Sequence, residues 1–310
     1  MARDKQKNDK IRTYSHLLEE VQQGHPVRKN LYESIEAHLK ENTKIDTKLV
    51  AFFTSFTFPV LIEDQDADML EEVLTNSSMD NKHLVLLLNS PGGEALAAER
   101  IVNICRTYSI NGFSVIVPKM AKSAATMICL GANKIGMSKI GPIDPQILIR
   151  DEKGEPFKYQ AAHEIIESYM ELLISANKTK GRIEPFLQQL ARYDARDIRN
   201  IKSAQDLSES IALTSLRNGM LSKYNESKIK NKIRPFLDPK YTKSHGRPIY
   251  YNIAQKCGLT VELYENNSDV WKDIWQLYVR INYVVSRNFS KLIESSEDSY
   301  AAAVHIISEM

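Results

Sequence analysis

Apolar positions along the chain change their period twice. In residues 1–45 they recur at helical spacing, first as Tyr14, Leu17, Leu18 and Val21, then as Leu31, Ile35 and Leu39. His25-Pro26 falls between the two sets and predicts two short helices. From residue 46 the pattern alternates. Lys48 to Thr57 is β-branched and aromatic and reads as a strand. Asp64 to Leu74 reads as a helix with Ala67, Leu70, Val73 and Leu74 on one face and Asp64 and Asp66 as caps. His83 to Asn89 is a short apolar run suited to a strand buried on both faces. A Ser90-Pro91-Gly92-Gly93 turn, a helix from Glu94 to Tyr108, a strand from Phe113 to Pro118, a helix opening at Ser123 and a short strand from Lys134 to Met137 follow. This order predicts an α/β fold with a largely parallel sheet and right-handed crossovers. Beyond it the chain reads as mostly helical: Ala161 to Ala176, Ile183 to Ala191, Ala204 to Lys223, and a long amphipathic helix from Asp269 to Ile293. Three units result: a helical N-terminal arm over 1–45, suited to an oligomer contact, an α/β domain over 46–265, and a C-terminal helical extension over 266–310.

Composition narrows this picture only a little. Of 310 residues, 43% are hydrophobic and 26% charged, ordinary for a globular protein. The net charge of +2, from 41 basic and 39 acidic residues, demands neither nucleic acid nor an anionic membrane. The basic run Lys228, Lys230, Lys232 and Arg234 reads as a solvated helix face. Cys105, Cys129 and Cys257 lie far apart, which argues against a structural zinc site and for buried reduced thiols. No stretch reaches the about 20 apolar residues of a membrane helix. The charged start, with Arg3, Asp4 and Lys5, lacks the apolar segment of a secretory signal, so a cytoplasmic location is the default expectation.

Two turns carry candidate chemistry. In the first, a buried strand ends in Asn89-Ser90-Pro91-Gly92-Gly93 and feeds a helix. Adjacent glycines permit positive φ and close backbone approach, and their N–H groups ahead of a helix N-terminus suit an oxyanion. In the second, Val117-Pro118-Lys119-Met120-Ala121-Lys122-Ser123-Ala124-Ala125-Thr126, a serine opens a helix of small residues. Each alone is an ordinary turn or an N-cap serine. Together they are two βα turns of one sheet, opening at the carboxyl ends of its strands, where ligands bind.

From about Val50 to Gln146 the chain resembles the serine dehydrogenase proteinase family, relatives of signal peptide peptidase A and the Clp protease subunit. The resemblance rests on Ile62-Glu63-Asp64, the Asn-Ser-Pro-Gly-Gly turn, Ala121-Lys122-Ser123-Ala124-Ala125-Thr126 and Ile140-Gly141-Pro142-Ile143-Asp144-Pro145-Gln146, in matching order and spacing. Ser244-His245-Gly246-Arg247-Pro248-Ile249 and Cys257-Gly258-Leu259-Thr260-Val261 are weaker echoes. The likeness implies a crotonase/Clp-protease-like fold. It also implies a nucleophile at Ser123 and an oxyanion hole from Gly93 and Ala124, with Gly92 shaping the turn. A serine hydroxyl needs a base. Clp subunits use a histidine downstream of the serine, and at that distance this chain has Gln146 to Arg150. Signal-peptide-peptidase relatives use a lysine farther on, in the window holding Lys178 and Lys180. Lys178 is the favoured base, with His163 and His245 as alternatives. Gly-Pro-Ile-Asp-Pro reads as a rigid turn, in which Asp144 caps nearby N–H groups or orients a base.

The expected activity is therefore that of a serine peptidase acting on polypeptide through an acyl-enzyme, without cofactor, as a homo-oligomer. A regulatory or unfoldase partner would be separate, since no Walker A motif occurs. The alternatives are a catalytically weak Clp-like scaffold or sensor and a crotonase-type acyl-thioester hydrolase.

Overall fold

The computed structural model describes residues 24–58, 60–145, 148–151, 158–237 and 248–303. The alternation read from sequence becomes α1 (His25–Thr43), β1 (Thr47–Thr54), α2 (Asp64–Thr75), β2 (His83–Asn89), α3 (Ala95–Tyr108), β3 (Ser114–Val117), β4 (Ala121–Lys122), α4 (Ala124–Gly131) and β5 (Lys134–Met137). Two further short strand pairs involve β6 (Ile143–Asp144), which runs parallel to β4, and the antiparallel β7 (Leu148–Asp151) and β8 (Lys158–Ala161). Then come α5 (Ala162–Lys178), α6 (Glu184–Leu190), α7 (Ala195–Arg217), α8 (Glu226–Lys232), α9 (Arg234–Leu237), α10 (Tyr251–Lys256), β9 (Val261–Leu263), α11 (Asp269–Val285), β10 (Phe289–Glu294) and β11 (Ser299–Ala303).

The main sheet has the order β11-β10-β1-β2-β3-β5-β9, with β1, β2, β3, β5 and β9 parallel. Side chains alternate across it, as strand geometry requires. Val50, Phe52, Leu84, Leu86, Val115 and Val117 face one layer that includes α2, α3 and α4. Leu49, Ala51, Phe53, Val85, Leu87 and Ile116 face the other, covered by α1 and α11. Burial on both faces is what makes β2 read as an unbroken apolar run. The three cysteines are buried and unpaired, and burial pushes the Cys257 thiol up to about 11. No helix among the described residues is long and apolar enough to cross a membrane.

Two sequence expectations are corrected. His25-Pro26 opens α1, since proline in the first turn lacks only an N–H that has no helical partner. The helix predicted around Tyr14 to Val21 lies outside the described residues. α7 starts at Ala195, before the expected Ala204, because Asp194 caps it through Arg196 N at 2.8 Å. The helix expected to run to Ile293 stops at Val285, and Phe289 to Glu294 instead pairs antiparallel with β1. The open flank of β1 supplies unpaired backbone groups, and this outweighs local helical periodicity. The segment 266–310 thus adds strands as well as a helix. The sheet takes strands from both sides of residues 265 and 266, and α1 packs Tyr32, Ile35 and Leu39 into its core.

Candidate active site

Ser123 stands between β4 and α4 with φ 48° and ψ −120°. A non-glycine residue pays about 1–3 kcal/mol for such a backbone, and it persists only where its surroundings over-determine it. Here they do. Ser123 N–H donates to Asp144 O at 2.8 Å, and Met127 N–H donates to Ser123 O at 3.2 Å. Thr126 Oγ1 donates towards both Ala121 O (3.0 Å) and Asp144 O (2.9 Å), tying the first turn of α4 to the β4–β6 pair. Ser123 is 8% exposed, and its hydroxyl has no hydrogen-bond partner among the described residues.

The glycine turn is built against this serine. Gly92 has φ 101°, and a Cβ there would lie 2.5 Å from Lys122 O and 2.6 Å from Ser123 Cβ. Only glycine satisfies both demands. A Cβ on Gly93 would lie 2.2 Å from Ile62 O, because Gly93 bridges Ile62. The two βα turns are laced together: Ser90 N–H donates to Met120 O (3.1 Å) and Lys122 N–H to Ser90 O (3.0 Å). Ser90 Oγ accepts the Gly92 N–H at 3.0 Å and lies 2.6 Å from Thr54 Oγ1.

This bonding sorts the proposed oxyanion donors. The Gly92 N–H is engaged by Ser90, consistent with a shaping role. Among the described residues the N–H groups of Gly93 and Ala124 meet no acceptor. Ala124 is also the first residue of α4, where the helix dipole favours negative charge. Free donors at the positive end of a helix, beside a strained serine, are chemically suited to a developing oxyanion.

One charged pair adjoins the serine. Lys122 Nζ lies 3.3 Å from the buried Asp144 Oδ2. Asp144 therefore holds Ser123 through its carbonyl and the preceding lysine through its carboxylate. Sequence reasoning gave Lys122, Thr126 and Thr54 no role. Their partners come from the β4–β6 pairing and the β1–β2 adjacency, which periodicity does not reveal.

Lys178 is the last residue of α5 and is exposed, as is Lys180. His163 is half-buried near the start of α5. None of the three is joined to Ser123 by a described hydrogen bond. His245 and Gln146 lie outside the described residues, although Ile249 exchanges two backbone hydrogen bonds with Ile143, at 3.0 and 2.7 Å.

Residues 43–153 match the family described as ClpP-like SDH-type serine proteinase. An uncharacterized protein of Methanocaldococcus jannaschii is 27% identical over 208 residues, covering 66% of this chain and 60% of the relative. A second uncharacterized protein of that organism is 35% identical over 91 residues, covering 28% of this chain and 30% of its own length. The chain thus spans less than two thirds of either relative. A solved alanine variant of the 1510-N membrane-bound stomatin-specific protease aligns at 15% identity with a TM-score of 0.41, covering 73% of this chain and 83% of that one. The resemblance drawn from Val50 to Gln146 is borne out by the family match.

Proposed function

We propose that this chain, which matches the ClpP-like SDH-type serine proteinase family over residues 43–153, hydrolyses peptide bonds through an acyl-enzyme on Ser123. The observation that carries the reading is the strained Ser123 backbone packed against Gly92 at the start of α4. Ser123 Oγ attacks the peptide carbonyl carbon while its proton passes to a base. The carbonyl oxygen becomes an oxyanion held by the Gly93 and Ala124 N–H groups. The C–N bond then breaks, the amine leaves with the proton, and water releases the acyl group by the reverse sequence.

Lys178 remains the proposed base. On this reading Lys178 reaches Ser123 by assembly of a homo-oligomer or on substrate binding. Exposed Met170 and Ile174 on the same helix support assembly. The substrate class is unfolded polypeptide, delivered by a separate partner where unfolding is needed, in the cytoplasm.

Reaction with a fluorophosphonate, read by mass spectrometry, tests the nucleophile. The expected adduct sits on Ser123 and is absent from Ser123→Ala. A folded wild-type protein with no adduct at Ser123 would favour the second reading, a non-catalytic scaffold.

A further inference from the structure

The acidic segment Ile62-Glu63-Asp64 matched the family motif but has no part in the chemistry above. Its placement gives it one. Ile62 N–H donates to Gly92 O at 2.8 Å, and Glu94 N–H donates to Ile62 O at 2.9 Å. The Gly93 N–H is therefore aimed by the backbone of Ile62. The next residue, Glu63, donates its N–H to Asp66 Oδ2 at 2.8 Å. That same oxygen accepts from Lys291 Nζ at 2.9 Å, and Glu63 Oε2 lies 3.4 Å from the ammonium. Asp66 is 0% exposed, and its other oxygen has no partner among the described residues.

A second route runs from the same lysine. Lys291 on β10 sits opposite Thr54 on β1. Thr54 Oγ1 meets Ser90 Oγ at 2.6 Å, and Ser90 Oγ receives the Gly92 N–H. The first route ends on Gly92 O and the Glu94 N–H, which flank Gly93, and the second ends on the Gly92 N–H. An apolar pair would hold β10 against α2 equally well, since replacing a buried ion pair by apolar residues is often neutral or stabilising. What the charged pair adds is direction: a bond to one carboxylate oxygen that also fixes the Glu63 N–H.

We propose that Lys291 and Asp66 are positioning residues that brace the oxyanion turn, so that a strand near the far end of the chain governs the reaction rate at Ser123. The inference rests on the nucleophile and oxyanion assignments above. It is tested on the full chain with Asp66→Asn and with the apolar pair Asp66→Leu/Lys291→Met. The readouts are the rate of fluorophosphonate adduct formation at Ser123 and hydrogen exchange of the Glu94 N–H. Both variants should slow the adduct at least tenfold and speed Glu94 exchange at least tenfold. Exchange in residues 84–88 should not change, and the apolar pair should melt no lower than wild type. An apolar pair that reacts within twofold of wild type, with Glu94 protection intact, would overturn the brace. Should that pair fail to fold, Asp66→Asn decides by the same readouts. A wild-type chain that forms no adduct would end the Ser123 reading, while Glu94 exchange would still decide whether the brace exists.

Discussion

The turn that carries Ser123 and the helix that carries Lys178 are built on opposite physical terms. Around Ser123, every residue of α4 is buried and backbone hydrogen bonds join two turns and two short strands. On α5, the only residue that counts as buried is Ala162, and Met170 and Ile174 stand in solvent. A position fixed by backbone sterics is complete within one chain. A position at the end of an exposed helix acquires a partner only when something else covers that helix. On the function proposed above, the difference separates what one copy defines by itself, the turn that holds Ser123, from what it would leave to assembly, a base.

The largest effect expected on this contrast comes from Gly92→Ala. The added carbon would collide with Lys122 O and Ser123 Cβ at a φ that alanine avoids. Adduct formation at Ser123 should fall by about a hundredfold or more. A near-wild-type rate would mean that the turn is not tightly defined after all. Lys178→Ala should follow, with adduct formation slowed about ten- to a hundredfold and the melting temperature unmoved. An unchanged rate would remove Lys178 as base and return the question to His163 and His245. The smallest effect should be the stability cost at the exposed helix. Ile128→Ala, at 0% exposure, should cost about 2–5 kcal/mol in urea unfolding, as buried aliphatic deletions do. Ile174→Ala, at 45% exposure, should cost no more than about 0.5 kcal/mol. A larger, concentration-dependent cost at Ile174 would show that a second copy covers α5.

Legibility in the sequence follows the same division. His83 to Asn89 and Lys134 to Met137 coincide with β2 and β5 residue for residue, because strands buried on both faces leave unbroken apolar runs between turn signals. Ser123, Gly92 and Gly93 were legible because glycine and serine at strand-to-helix turns report backbone geometry directly. Asp144 was half legible: its rigid turn was foreseen, but its carbonyl bond to Ser123 and its pairing with Lys122 depend on β6 lying beside β4. β10 was not legible. Neither glycine nor proline separates it from α11, and Leu292 and Ile293 continue an apolar count that began at Trp271. The open flank of β1 that captures it is far away in sequence, beyond the reach of any local period.

That capture has a consequence for synthesis. Strand β1 is among the first parts of the sheet to leave the ribosome, yet one of its two neighbours is made nearly last. Until Phe289 to Glu294 emerges, β1 presents a free edge of unpaired amides and carbonyls beside Leu49, Phe52 and Phe53. The nascent chain must therefore carry an adhesive edge until β10 is made. Closure of that edge coincides with arrival of Lys291, so the sheet is sealed and the glycine turn is braced in one late event.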